Sequence, residues 1–229
     1  MRYFNPKADI PQLLKEQPKW LCWQKGETDR RGKFPKYPVN PLNPFEKINY
    51  QNPNVLLSFD TAFNFYQHNQ FISGLGFKLD ENRIIHSELN YIEYLVGIDI
   101  DMDEGRNEEF FNKIRNELDN TYSEISPSGK GIRLFGLSYE KVDNWSHNHI
   151  EVYTKNRFLT VTGWNAQGDI KNITTLLKLF KKKYKPQDKV HKTSVVHPIK
   201  FPTPNEIANV HSFLYSIDAD CPGDQYRNI

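Results

Sequence analysis

Along residues 1–185, short apolar runs alternate with longer stretches in which apolar residues recur every three or four positions. The run WLCWQK (20–25) alternates and is aromatic enough for a strand. ISGLGFKL (72–79) and NYIEYLVGIDID (90–101) carry stronger strand patterns, and GIRLFGL (131–137), HIEVYT (149–154) and RFLTVTG (157–163) predict three more short strands. Helical spacing appears between them. Pro11 to Glu16 reads as a short helix, and SFDTAFNFYQHN (58–69) places Ala62, Phe63 and Tyr66 on one face, with Ser58 or Asp60 as the N-cap. In RNEEFFNKIRNELDN (106–120), Phe110, Phe111, Ile114 and Leu118 share a side. A last helix is predicted over IKNITTLLKLFKKK (170–183), capped by Asp169. Gly26 to Pro53 is rich in Pro, Asn, Gly and charge, which predicts a long ordered loop or hairpin region.

Strands and helices alternate irregularly, with short strands neighbouring one another near the end. This predicts an α+β (mixed α/β) fold better than a regular parallel sheet. One domain is expected over residues 1–185. Residues 186–204 are punctuated by proline, lack an apolar period and read as a linker. Residues 205–229 start a helical segment without building a core, so the chain is expected to be the front piece of a longer protein.

Composition changes this picture little. An apolar share of 38% suffices for a core, and a formal charge of +2 leaves any polyanion affinity to local patches. Cys22 and Cys221 lie far apart, match no metal spacing and read as reduced thiols. The N-terminus lacks the apolar run of a signal peptide and no window approaches a membrane span, which predicts a soluble cytoplasmic protein without a membrane partner.

The candidate chemistry begins in LVGIDIDMDE. Residues two apart on a strand share a face, so Asp99 and Asp101 project together while Ile98 and Ile100 bury on the other side. Two adjacent carboxylates repel unless a cation sits between them, and Mg²⁺ or Mn²⁺ suits oxygen ligands. The alternative is a polar strand end with solvated acids, continued by Asp103 and Glu104. In EISPSGKGIRLF (124–135), Gly129 and Gly131 let backbone N–H groups converge, Ser126 and Ser128 offer hydroxyls and Lys130 offers charge. A P-loop is excluded: Glu124 stands where its first glycine belongs and Gly131 where its Ser or Thr belongs. The loop either holds an anion or is a glycine-rich hairpin turn. Glu151 lies on the strand face opposite Ile150 and Val152, beside His149 and Tyr153, either as a third metal ligand or as an exposed acid. Arg157 opens the next strand and could pair with phosphate or with an acid. His147 and His149 match neither a nuclease nor a rolling-circle pattern and read as loop histidines. KLFKKKYKPQDKVHK (178–192) could follow a nucleic-acid backbone, or be a solvated helix end that complements the helix dipole.

Together and in this order, the pieces resemble the archaeo-eukaryotic primase superfamily, and most closely the bifunctional primase–polymerase domains of phages, plasmids and other bacterial mobile elements. The likeness runs over most of Trp20 to Gly163: WLCWQ, KFPKYPVNP with Lys36, SFDTAF, GLGF, VGIDID, EISPSGKG and IEVYTKNRFLTVTG. FLYSIDADCPGDQYRN (213–228) is similar to the start of the helical segment that often leads from such domains to a helicase. The resemblance implies a catalytic domain over 1–185, with an RNA-recognition-like (RRM-like) palm sheet and an N-terminal α/β module. It implies a template-dependent nucleotidyltransferase, a DNA primase, a DNA polymerase or both. Asp99, Asp101 and Glu151 would then hold two Mg²⁺ or Mn²⁺ ions. Ser126, Ser128, Gly129, Lys130, Arg133, Arg157 and Lys36 would bind the nucleoside triphosphate. The expected partners are a single-stranded or primed DNA template and a helicase, in the same longer protein or in trans, in a bacterial host cytoplasm.

One position departs from the family pattern. Its second motif carries a histidine, implicated in binding the incoming nucleotide's phosphates, where this chain has Arg133. Arginine can grip phosphate through two N–H groups, but it does not titrate near neutral pH. The departure motivates an alternative, a replication-initiation domain that keeps the fold and binds DNA without catalysis. A metal-dependent nuclease using the same acids ranks behind both.

Overall fold

Trp20, Leu21, Cys22 and Trp23 are all buried although they alternate sides of β1 (Trp20–Lys25), so both faces of this strand are covered. Trp20 and Cys22 join the core that contains Ala62 and Tyr66, while Leu21 and Trp23 pack with Tyr3. The remaining elements in chain order are α1 (Gln12–Lys15), which precedes β1, then β2 (Lys36–Asn40), β3 (Asn43–Lys47), α2 (Phe59–His68), β4 (Gly74–Leu79), β5 (Arg83–His86), β6 (Tyr91–Asp101), α3 (Glu108–Glu117), β7 (Ser123–Ile125), β8 (Gly131–Ser138), β9 (Trp145–His147), β10 (Ile150–Tyr153), β11 (Arg157–Val161) and α4 (Thr174–Tyr184). The structure is a computed structural model and describes residues 2–30, 32–87, 90–101 and 107–185. The chain divides into two units, Met1–Pro186 and Gln187–Ile229. The second, with the expected linker, helical segment and Cys221, lies outside the described residues, as do Asp103 and Glu104.

The fold is α+β: two antiparallel sheets with few helices. The first sheet runs β11-β4-β1-β2-β3, and the expected loop or hairpin region between 26 and 53 supplies the β2–β3 hairpin. The second runs β7-β8-β6-β10-β9, with β5 also on β6. Every pairing in it is antiparallel, so β7 runs in the direction of β6 with β8 between them. The unit β6–α3–β7 is therefore a split β-α-β.

The two faces of the second sheet differ. Val96, Ile98, Ile100, Ile132, Leu134, Ile150 and Val152 form one core with Phe111, Ile114 and Leu118 from the α3 segment and Leu177 and Phe180 of α4. On the opposite face, Leu95, Phe135 and Leu137 join the core of the first sheet. Further along β6 that same face turns polar at Asp99 and Asp101. Gly97 marks the change: a Cβ there would fall 2.6 Å from the Cδ1 atoms of both Leu79 and Leu159, so a larger residue would have to displace two leucine side chains of the first sheet.

The chain passes from one sheet to the other between β10 and β11. Asn144 holds this turn, its Oδ1 accepting from Thr154 N (2.8 Å) and Lys155 N (3.3 Å) while its Nδ2 donates to Lys155 O (2.8 Å). Asn156 takes the left-handed conformation at φ 56°.

Two local expectations change. Ser58, not Asp60, caps α2, with its Oγ accepting from Thr61 N at 3.2 Å. Helix α4 begins at Thr174, whereas the sequence predicts a start after Asp169. The intervening backbone is occupied otherwise: Leu137 N donates to Lys171 O and Ile173 N to Leu137 O, so residues 171–173 run beside β8 before the helix can start.

Candidate active site

Five residues stand directly opposite one another across the second sheet: Glu124, Arg133, Asp99, Glu151 and Ser146, on β7, β8, β6, β10 and β9. Opposed residues share a face, so this row brings together acids from three strands and a cation from a fourth. Arg133 and Asp99 are the closest pair. Arg133 Nε donates to Asp99 Oδ1 at 3.2 Å and Nη2 to Oδ2 at 3.3 Å, with side chains only 5% and 14% exposed. This two-point geometry is the one arginine provides and lysine does not.

The third nitrogen of Arg133 reaches the other sheet. Nη1 donates to the carbonyl of Thr160 at 3.1 Å and also to its hydroxyl. β11 is an edge strand, so this carbonyl has no neighbouring strand to serve it. Glu124 completes the arrangement. Fully buried, it accepts from Thr162 N and Gly163 N at 2.9 Å each and from the Tyr122 hydroxyl at 2.8 Å. Burial raises the Glu124 pKa, against the pull of those two N–H groups, the Tyr122 hydroxyl and Arg133. An acid and a base of one sheet thus serve the edge of the other.

A cleft of about 240 Å³ opens beside the row, lined by Lys36, Arg133, Arg157 and Asp99 and by the aromatic residues Phe34, Tyr50 and Phe158. Arg157 Nη2 lies 3.7 Å from Glu151 Oε2, and its guanidinium carbon 4.9 Å from the Tyr153 ring centre. Tyr153 donates to Glu151 at 2.9 Å, and its phenol is pushed up to about 12, first by burial and then by that bond. The Lys36 pKa is lowered, chiefly by burial and then by Arg133, with Asp99 and Asp101 pulling the other way. Asp101, at the end of β6, pairs with Lys33 at 3.3 Å. The cleft lining therefore sets three cations against one carboxylate, Asp99, whose cross-strand neighbour is Glu151.

The EISPSGKG segment is the β7–β8 hairpin turn, with Gly129 at φ 72° and Ser126 N bonded to Gly131 O. The hairpin-turn alternative drawn from the sequence is the one seen, and the turn carries the hydroxyls and the lysine. Ser126 Oγ and Ser128 Oγ bond each other at 3.1 Å. Gly131 faces Asp101, so the loop sits at the Asp101 end of the row, and Lys130 Nζ comes over Gly32. Asp99, Arg133, Arg157 and Lys36 share the cleft lining, with Glu151 opposed to Asp99 and 3.7 Å from Arg157, whereas Ser126, Ser128, Gly129 and Lys130 stand beyond that lining.

His147 ends β9, and His149 shares with Asn148 the two-residue β9–β10 turn, both at positive φ, the type I′ geometry of a tight hairpin. Of the lysine-rich helix end, Lys183 and Tyr184 both bond Glu117 of α3. Glu124, Thr160, Lys33 and the aromatic lining are not among the site residues expected from the sequence. Glu124 could have been found by its face, since it alternates with the apolar Ile125 as Arg133 does with Ile132 and Leu134.

Among the described residues, no three carboxylate, imidazole or thiol side chains lie close enough together to hold one ion. The donor set still fits a hard divalent cation. Asp99 and Glu151 are opposed, Asp101 is two residues on along the same face, and each of the three faces a basic partner: Arg133, Arg157 and Lys33. No helix among the described residues is long and apolar enough to cross a membrane. No protein-family model matches the chain, and neither does any curated protein.

Proposed function

We propose that this chain is a template-dependent nucleotidyltransferase of the primase–polymerase kind, adding a nucleotide from a nucleoside triphosphate to a 3′-hydroxyl on a DNA template. One observation carries the reading: Asp99 of β6, opposed by Glu151 of β10, lines a cleft together with Lys36, Arg133 and Arg157 and with Phe34, Tyr50 and Phe158. A triphosphate needs the cations, and a nucleobase needs the aromatic faces. The sheet order β7-β8-β6-β10 with its split β-α-β agrees with an RNA-recognition-like palm. The first sheet with α1 and α2 takes the part of the N-terminal module.

Asp99, Asp101 and Glu151 would hold two divalent ions, Mg²⁺ or Mn²⁺, which when bound stabilise the attacking and leaving oxygens of an in-line displacement. Lys36, Arg133 and Arg157 neutralise charge on the departing pyrophosphate. Ser126, Ser128, Gly129 and Lys130 stand at the Asp101 end, where the distal phosphates or the template strand can reach them. The cleft's small volume suits one nucleotide, with the template outside it.

The test is labelled-nucleotide incorporation on single-stranded and primed templates, with Mg²⁺ or Mn²⁺. Wild type is expected to extend the primer and the double variant Asp99→Asn, Asp101→Asn to fail while remaining folded. Extension by that double variant would sink the assignment. A second reading, DNA binding without catalysis, is favoured by one observation, the engagement of both Asp99 oxygens by Arg133. DNA binding indifferent to metal and nucleotide, with no incorporation by wild type, would support it.

A further inference from the structure

We infer that Arg133 makes cation binding at Asp99 conditional on the triphosphate, so that the site loads both together and resists the metal alone. The inference rests on the proposed nucleotidyltransferase reading and adds to it a rule for how the site is filled.

The argument starts from the inventory of Arg133. Its Nε and Nη2 cover the two oxygens of Asp99, and its Nη1 is committed to Thr160. A guanidinium cannot lose its charge in the accessible pH range. With the guanidinium in place, Asp99 is already neutralised. A divalent ion arriving by itself meets a permanent positive charge at hydrogen-bond distance from its own ligand, with both side chains largely shielded from water. Lys36 and Arg157 line the same cleft and add to the repulsion. The metal must therefore compete with an internal cation for the same oxygens.

A triphosphate reverses the balance. Its oxygens accept from the Nε and Nη2 edge as well as a carboxylate does. The bond from Nη1 to Thr160 does not involve Asp99 and can persist as the anchor about which the guanidinium changes partner. Arg133 then faces phosphate, and Asp99 is released to face the cation. By linkage, whatever the nucleotide gains from the metal, the metal gains from the nucleotide.

The measurement is Mn²⁺ binding to the whole chain, read from the free-ion electron paramagnetic resonance signal at pH 8, first with the metal alone and then with a non-hydrolysable nucleoside triphosphate. Wild type is expected to bind Mn²⁺ weakly alone and substantially tighter with nucleotide, after correction for metal bound to free nucleotide. Arg133→Gln, which keeps an N–H donor for Thr160 but no charge, is expected to bind Mn²⁺ alone on the order of tenfold more tightly than wild type, from the removal of one close positive charge. Its further gain on adding nucleotide should shrink. Arg133→Met, which carries no charge at any pH, should move the same way and serves if Arg133→Gln does not fold. Equal Mn²⁺ affinity in wild type and both variants overturns the interlock while leaving the nucleotidyltransferase reading intact. Absence of Mn²⁺ binding in all three proteins, with and without nucleotide, overturns both.

Discussion

The carboxylate of Glu124 accepts the backbone N–H of Gly163 at 2.9 Å, joining two residues 39 positions apart on the outermost strand of one sheet and just past the outermost strand of the other. Together with Thr162 N and the Tyr122 hydroxyl, three buried donors depend on this side chain. Glu124→Ala leaves all three unsatisfied, at about 1–3 kcal/mol each before relaxation. The expected loss is roughly 3 kcal/mol or more, seen as a lower urea midpoint. Glu124→Gln should cost less. Its comparison with wild type also reads out the raised pKa. An acid whose native pKa is raised contributes stability that is present below the ordinary carboxylate range and is lost as pH climbs through the native value. Wild-type stability relative to Glu124→Gln should therefore fall as pH rises above that range. A difference that grows with pH would show that the hydrogen bonds outweigh burial.

Gly131 faces Asp101, and a Cβ built on it would lie 2.5 Å from the carbonyl oxygen of Ile100. Backbone cannot swing aside as a side-chain tip can, so Gly131→Ala must push β6 and β8 apart beside the acids. A cost of about 2 kcal/mol is expected in chemical denaturation. Incorporation should fall further than that loss of folded protein explains. Retention of full activity per folded molecule would mean that the Asp101 end of the ladder does not set the chemistry.

Lys36 is held in the cleft against its own solvation and beside two arginines, which lowers its pKa. A base with a lowered native pKa burdens the fold while charged, and the burden lifts as pH rises through the native value toward the ordinary lysine range. Lys36→Met is therefore expected to raise the melting temperature at neutral pH, by about 2–4 °C for each kcal/mol relieved. The gain should shrink in alkali. The same variant should raise KM for the triphosphate, the signature of a residue kept for binding at the expense of stability.

Arg157 pairs with Glu151 at 3.7 Å, with the two side chains 47% and 34% exposed. Such a pair contributes at most about 1 kcal/mol to stability. Arg157→Ala should scarcely change the denaturation curve, yet raise KM for the triphosphate about tenfold or more through the loss of a charge-assisted bond. Equal KM in variant and wild type would remove Arg157 from the phosphate rim.

Much of this architecture is legible along the chain because it is written locally. The alternation in VGIDID places Asp99 and Asp101 on one face and the isoleucines on the other, as the structure has them. Helix α3 follows its apolar period, with Phe111, Ile114 and Leu118 buried and Phe110 at the margin. Short edge strands are another matter. β5, β7 and β9 have three or four residues each, too few to establish a period, and exist because a longer neighbour supplies their partners. The grip of Arg133 on Asp99 spans 34 positions, and that of Glu124 on Thr162 spans 38. Neither leaves a local pattern, since the first is set by strand register and the second by the approach of another sheet's edge. The start of α4 is likewise decided by a distant strand, β8, whose Leu137 bonds the backbone of Lys171 and Ile173.

The turn between β10 and β11 has a consequence for how this cleft can vary. Glu151 and Arg157 flank it, one opposed to Asp99 and the other in the cleft lining, and Thr154, Lys155 and Asn156 alone join the two strands. Asn144, from the segment before β9, grips two of those three residues at the backbone. The turn acts as a gauge block between two sheets that are otherwise separate ladders. Lengthening it by one residue would reset the span between carboxylate and guanidinium without touching either ladder, which makes it the natural place to alter the size of what the cleft admits.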